Sequence, residues 1–451
     1  MKKVVLFFTL LFFAGISLAQ QEYGVHFMNG TWQATMTNPA QLPTNKITIS
    51  LPEFYGNLGI SNITYNDIFD AQGSADFDNA ISQLDEHNYF RTNLAFQTFG
   101  IGIRTKRLFF SLNHEIRSNT SVNYPKELAQ LIWQGNAQFI GRQIAFEPNM
   151  EFRNWHQIAI GVGLQLSDNI TLGARLKTLS GIVDLSNDRD GYLHLTTSED
   201  IYQLSVDADY VLRTSGALDF ADISNYNFSY TGIDFNSFDK LFKNNPGFAI
   251  DLGASVSFGK FNFQASALDV GSINWKDNVT QYGVKGSFDF EGLSFAEDIF
   301  SDSLATPVVL DSLKNTFNPD ETHDAYRTAL PKQFYLSGSY ALTEFLKVGA
   351  LFYTEIDNKY AYPAFTLAAN YSLSAALKVG ASYSVKKGSA DNLGLSAALK
   401  LGPIQLVAAT DNVFTVLNPK NHNHANGRVG LNLVFGKADE AKGSSSPTDF
   451  Y

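Results

Sequence analysis

Between residues 157 and 436 the chain keeps returning to one pattern: about ten residues in which apolar side chains alternate with small or polar ones, ended by a turn. Successive side chains of a strand point to opposite faces, so each such segment has one apolar and one polar face. In 363–373, Phe365, Leu367, Ala369, Tyr371 and Leu373 alternate with Ala364, Thr366, Ala368, Asn370 and Ser372. In 377–386, Leu377, Val379, Ala381, Tyr383 and Val385 oppose Lys378, Gly380, Ser382, Ser384 and Lys386. Leu395 against Ser396 and Leu431 against Asn432 repeat the plan near the C-terminus, and Phe248, Leu252 and Phe258 against Ala249, Asp251 and Ser257 repeat it in the middle. In 170–179, Arg175 and Lys177 share the inward parity with Gly173. Turned toward lipid, each cation would cost about 2–4 kcal/mol near the bilayer midplane.

A soluble sandwich also alternates, and three features choose the membrane instead. The polar face is built of Gly, Ser and Ala rather than Lys and Glu. Tight turns, as at 105–107, 259–260, 342–344, 372–376 and 401–403, alternate with connections of some thirty residues or more at 215–247 and 293–331, the asymmetry of an outer-membrane barrel. Aromatic residues gather near strand ends, among them Phe352, Tyr353, Tyr360 and Tyr362, where an interfacial girdle is expected. Composition agrees: 17% charged residues falls below the roughly 25% of soluble domains. Mean hydropathy of -0.11 is too polar for a helical bundle, and no stretch after residue 20 offers 18 consecutive apolar residues.

The address is written at the start. Lys2 and Lys3 precede an apolar stretch at 4–16 and the small-residue site Ser17-Leu18-Ala19, which predicts a signal peptide over 1–19 and a mature chain from Gln20. With no Cys in the chain, lipid anchoring, disulfides and thiolate chemistry are excluded. The expected fold is all-β: a transmembrane antiparallel β-barrel of about 14 strands, within 12 to 16, in the outer membrane of a Gram-negative bacterium. Residues 20–45 form an irregular N-terminal segment, 46–436 the barrel, and 437–451 a disordered tail. Strands at 282–290 and 333–342 both run downward, so 293–331 hides an ascending segment, for which 305–310 is the candidate, or one assignment is wrong. Helical spacing predicts short loop helices after Asp76, after Pro125 and at 238–242.

Chemistry finds little to hold. A net charge of -11, or -13 without Lys2 and Lys3, speaks against nucleic acid. His422 and His424 lack further ligands and read as solvated loop histidines, and 188–191 lacks the carboxylates of a calcium loop and reads as a hairpin turn. Ser111 and His114 share a strand at opposite parity, so no nucleophile–base pair forms there. Asp411-Asn412 and Arg428 read as a rim set fixing register. No cofactor, metal or catalytic residue is assigned, and the chain is not expected to be an enzyme.

Several stretches resemble a family of uncharacterised outer-membrane barrels from Bacteroidota, a domain of unknown function. They include Asp76-Phe77-Asp78-Asn79-Ala80, Leu268-Asp269-Val270-Gly271, Gly402-Pro403-Ile404-Gln405-Leu406 and Thr410-Asp411-Asn412. The resemblance covers nearly the whole mature chain and implies an address and a lineage without a reaction. Asn38-Pro39-Ala40 is similar to the motif opening the FadL-like barrels, which carry hydrophobic compounds inward, and the shuttle barrels of type IX secretion, although no Gly follows Ala40. That likeness implies a hatch inside the lumen containing Asn38, Pro39 and Ala40. The functional expectation is a carrier of hydrophobic or amphipathic small molecules. The alternative is a non-transporting scaffold or accessory subunit of surface-protein export or envelope assembly, using a loop that carries Asp298, Asp302, Asp311, Asp320, Glu321 and Asp324. The partners so implied are outer-membrane lipids, with a hydrophobic small molecule for the first role and an envelope protein complex for the second.

Overall fold

The computed structural model describes residues 23–70, 72–188, 190–199, 204–222, 227–230, 244–290, 319–357, 360–386 and 389–438. The expected leader, the segment 305–310, the helical pattern at 238–242 and the tail beyond Ala438 lie outside them. Fourteen antiparallel strands form the wall. β1 comes in two pieces, Asn45–Ser50 and Glu53–Ile60, broken at Pro52, which has no N–H for the ladder. It is followed by β2 (His87–Arg104), β3 (Leu108–Pro125), β4 (Asn149–Gln165), β5 (Ile170–Asn187), β6 (Pro246–Phe258) and β7 (Phe261–Trp275). β8 is split at Pro331 into Tyr326–Ala329 and Lys332–Ala341. Then come β9 (Leu346–Asp357), β10 (Tyr360–Ser372), β11 (Leu377–Lys386), β12 (Ser389–Leu401), β13 (Ile404–Thr410) and β14 (His424–Lys437). β14 pairs back onto β1, with Ile47 opposite Phe435 and Phe54 opposite Val429, and the wall closes on itself.

One end of the barrel carries only short turns, at 105–107, 166–169, 259–260, 342–345, 373–376 and 402–403. Gly259 and Gly402 sit there at φ +57 and +61, a conformation that a side chain would strain. The long connections gather at the other end. They hold the short helices α3 (Tyr65–Ile68), α4 (Phe77–Ser82) and α5 (Lys126–Gln134). Asp76 caps α4 by accepting from Asn79 N–H at 2.9 Å, and Phe77 meets Trp133 of α5 at 4.1 Å between ring centroids.

The strand at Thr280–Phe290 is not wall. It pairs with Leu204–Gly216, which also holds Tyr192–Thr197 and the upper end of β5, forming a sheet that rises beyond the barrel. This removes the conflict between two descending strands: a sheet outside the membrane alternates as well as one inside it. Nor does the chain reverse as a hairpin at 188–191: Asn187 faces Leu212 and Tyr192 faces Asp209, so it keeps its direction along one partner strand. In this raised sheet the Tyr210 hydroxyl donates to Pro148 C=O at 2.9 Å, and burial, with the Glu147 carboxylate nearby, pushes its phenol up.

The alternation read from sequence holds in three dimensions. Ile160, Phe248, Phe258, Leu336, Phe352, Leu367, Leu395 and Val429 face outward and are exposed, while Thr366, Ser384, Asp251 and Asn432 are fully buried on the inside. An apolar belt on a closed sheet with its backbone groups paired is the condition for crossing a bilayer with strands. No described helix is long and apolar enough to do so. The chain is a membrane-spanning β-barrel. Of the aromatics expected in a girdle, Phe352 faces out, but Tyr353 is fully buried inside and Tyr362 lies under the Arg91 guanidinium, 3.7 Å from its centroid. Strand parity, not nearness to a strand end, decides where an aromatic ring points.

Candidate functional site

The lumen is filled by the chain's own N-terminal segment. Residues 23–44 form α1 (Tyr23–His26), α2 (Trp32–Thr37) and an irregular descent to β1, and nearly all of them are buried. None belongs to a strand, so the segment takes no place in the wall's ladder and is held by side chains. At its upper end Tyr23 and Gly24 N–H donate to the two Asp411 carboxylate oxygens at 3.1 and 2.8 Å. The carboxylate thereby caps orphan donors at the start of α1. Asn426 also donates to Asp411, whereas Arg428 turns to Glu53, so Asp411 and Arg428 belong to different contacts rather than one rim set.

Further down, Trp32 Nε1–H donates to Gln97 at 3.0 Å, Gln33 exchanges hydrogen bonds with Asn432 and donates to Glu53, and Arg175 donates to Thr35 C=O at 2.8 Å. His26 stacks on Tyr335 and lies 3.0 Å from Thr37 Oγ1 and 2.8 Å from Ser337 Oγ. The Thr37 hydroxyl donates to Ala34 C=O, so it accepts from Nδ1–H and leaves Nε2 to accept from Ser337; the network assigns a neutral imidazole.

Asn38, Pro39 and Ala40 lie where the segment passes between β5, β6 and β7. Asn38 Nδ2 donates to Ala254 C=O at 3.2 Å and Gln264 Oε1 at 3.3 Å, while its Oδ1 accepts from Ala40 N–H at 2.9 Å, closing a local Asx turn. Pro39 and Asn38 approach the wall so closely that only glycine fits opposite them. A Cβ on Gly173 would stand 2.1 Å from Pro39 C=O, and one on Gly253 would stand 2.0 Å from Asn38 Oδ1.

Arg175 and Lys177 are buried in an ion-pair chain. Arg175 reaches Asp251 at 3.0 Å, and Lys177 lies between Asp251 at 2.9 Å and Asp269 at 2.5 Å. Arg117 continues the chain at 3.9 Å from Asp269 and 3.6 Å from Glu115. A bulge between β6 and β7 brings the two aspartates together: register shifts beside Asp251, and Asp269 takes a left-handed φ of +58, which Asp tolerates better than most residues. Two carboxylates so close repel unless a cation stands between them, and Lys177 does. Arg153 with Asp184 and Glu151, and Arg91 with Glu355 and Asp357, form further buried clusters. Reading each strand alone identified the inward cations but missed these acidic partners; Asp251, already of inward parity, was the available signal.

Between these groups and Met36 lies a polar cavity of about 40 Å³, lined by Arg117, Arg175, Lys177, Asp269 and Arg428 among others. At 10–15 Å³ for the smallest water site, it holds roughly three waters and no hydrocarbon. Ser111 faces this lumen side, whereas His114 lies on the outer face, stacked on His156 with their nitrogens 3.2 Å apart. His424 is buried and 2.9 Å from the Tyr89 hydroxyl, not solvated, while His422 stacks on Phe414. Among the described residues no three metal-binding side chains converge.

With this geometry established, comparison with known proteins places the chain. A model described as a family of unknown function, DUF5723, matches residues 39–411. The chain belongs to that family. No curated protein matches it. Among solved structures it is similar to the Pseudomonas putida toluene transporter TodX, at 9% identity and TM-score 0.44, covering 93% of this chain and 98% of that one. The Ralstonia pickettii toluene transporter TbuX shares 10% identity at TM-score 0.44, covering 91% and 98%. A Pseudomonas aeruginosa FadL homologue shares 10% at 0.39, covering 93% and 98%.

Proposed function

We propose that this DUF5723 member is an outer-membrane barrel, its short-turn end in the periplasm, sealed at rest by an N-terminal hatch, and that displacing the hatch admits a small amphipathic or hydrophobic molecule. One observation carries the reading: the segment 23–44 fills the lumen yet contributes no strand, so it can leave without breaking a single wall pairing. Its polar contacts with Asp411, Gln97, Gln264, Ser337 and Arg175 can each be exchanged for water. Asn38, Pro39 and Ala40 are the part of the hatch seated deepest among wall glycines. The charged lining suits a solute with a polar group better than a bare hydrocarbon.

A second reading rests on the 40 Å³ cavity, which offers no apolar route, and on the raised sheet above the wall: a permanently closed barrel serving an envelope complex as accessory subunit. Gly173→Val separates the two. Valine suits a strand but collides with Pro39, so the hatch is expelled while the wall still closes. The gated reading expects a near-silent wild type in planar bilayers and open-pore conductance from the variant. A variant that folds and stays silent removes it. Native mass spectrometry of protein drawn from its own membrane then reports the cargo: a retained acyl or aromatic compound supports the carrier, and a stoichiometric protein partner supports the accessory subunit.

A further inference from the structure

The apolar belt is not smooth. On its β8–β11 side four neighbouring strands turn small residues outward. Gly338 of β8 faces Ala350 of β9, and one pair nearer the short turns Ala369 of β10 faces Ala381 of β11. Along each strand the small residue lies between two larger ones, two positions away on either side, which a strand turns to the same face. These are Leu336 and Tyr340, Val348 and Phe352, Leu367 and Tyr371, and Val379 and Tyr383. The result is a groove of about 690 Å³ that crosses the four strands. Phe263 of β7 faces Gly338 and closes one end, beside Phe261 and Tyr340, whose ring centroids are 4.6 Å apart. Leu393 of β12, opposite Tyr383, stands at the other end.

This lining offers water little. The backbone groups of the floor belong to the ladders between β8, β9, β10 and β11, and the outward side chains are apolar apart from tyrosine hydroxyls, of which that of Tyr383 donates to Ala390 C=O at 2.5 Å. An ordered water needs about two to four polar partners, and a groove left empty forfeits the dispersion contacts of its walls. The groove is continuous with the belt that meets the bilayer, where Leu336, Phe352, Leu367 and Tyr383 are exposed, so hydrocarbon fills it. Its width selects the kind of hydrocarbon. Flanking residues two positions to either side leave room for about one side chain, too little for a helix of about 10 Å. Four strands about 4.8 Å apart give a floor of about 14 Å, the extended length of roughly eleven methylenes.

Phe261 directly follows the Gly259-Lys260 turn, so the groove opens toward the bilayer surface at the short-turn end. We propose that it holds one acyl chain of a phospholipid from the leaflet at that end. The rings of Phe263, Tyr340 and Tyr383 line the chain, and Gly338 and the three alanines let it approach the backbone closely. Recognition is by the chain and not by the headgroup. For assembly of the wall any apolar side chain serves here, as it does on the rest of the belt, so the groove can be filled without loss of the fold. The site lies on the outer face and does not depend on whether the lumen conducts.

Full-length barrel in a short-chain polyoxyethylene detergent is titrated with phosphatidylglycerol and phosphatidylethanolamine, each carrying either palmitoyl or hexanoyl chains, and bound lipid is counted by native mass spectrometry. The palmitoyl lipids are expected to bind about tenfold more tightly than the hexanoyl ones, with either headgroup. A350F/A369F, which fills the floor, is expected to lose that preference. Ala408→Phe, the same change on the outer face of β13 opposite Val429 and outside the groove, keeps it. Heat-modifiable migration shows that A350F/A369F is folded, and A369F alone takes its place if it is not. Equal binding of the two chain lengths by wild type overturns the proposal, as does binding that follows the headgroup instead, or an unchanged preference in the folded variant. A wild-type dimer that the variant abolishes also overturns it and assigns the groove to a second copy of the chain.

Discussion

The two faces of the same strands are held by different physics. On β6, Phe248, Leu252 and Phe258 face outward and are exposed, while Asp251, next to Leu252, is bonded to Arg175, Lys177 and the Asp269 backbone. The outer face asks only for apolarity, so one aliphatic side chain serves as well as another. The inner face asks for particular partners, because a charge taken from water must be matched or the fold bears its desolvation. An address in the membrane is therefore written redundantly along the outside, and the filling of the lumen is written on the inside.

The sharpest break in that contrast is expected from Asp251→Asn. It leaves Arg175 and Lys177 sharing a diminished set of carboxylates and costs about 3–5 kcal/mol, read as a lower urea midpoint of the barrel in lipid vesicles. Loss of less than 1 kcal/mol would mean that the inner face is as tolerant as the outer. Next comes Leu395→Arg, which sets a cation against lipid at about 2–4 kcal/mol and lowers the heat-modifiable fraction recovered from membranes. Its neighbour on the other face behaves differently. Ser396 borders Gly24 and Gly380, so Ser396→Arg crowds the N-terminal segment in the lumen rather than the bilayer. The wall then assembles and its conductance rises; equal assembly defects at both positions would refute the register. Asn38→Ala removes the N-terminal segment's hydrogen bonds to Ala254 and Gln264 and its Asx turn, at about 1–2 kcal/mol; if the segment gates the lumen as proposed, brief channel openings follow without loss of assembly. Smallest of all, Leu336→Met on the exposed outer face stays within about 0.5 kcal/mol by urea unfolding.

Much of the fold was legible because parity is local. A strand read alone shows its two faces, and 363–373, 377–386, 248–258 and 170–179 carry in the barrel the faces that their own residues predict. The misreadings share one cause. Thr280–Phe290 alternates as a wall strand does, yet its partner is Leu204–Gly216 above the barrel, and alternation carries no mark of depth. Nearness to strand ends predicts a girdle position for Tyr353 and Tyr362, but inward parity sends one against Tyr23 and the other under Arg91. The polar loop around His424 predicts a solvated ring, whereas the register of β14 buries it beside Tyr89.

By itself the sequence determined which side chains face lipid, which end carries the tight turns and that no helix could do the spanning, since each depends on neighbours a few residues apart. Only the tertiary structure decided what fills the lumen. Glu53 meets Arg428, Asp411 receives the start of α1, and Asp251 comes opposite Arg175 across a long excursion, because these meetings depend on ring closure and on register between strands far apart in the chain. Parity is a property of one strand, but a closed lumen is a property of all fourteen together.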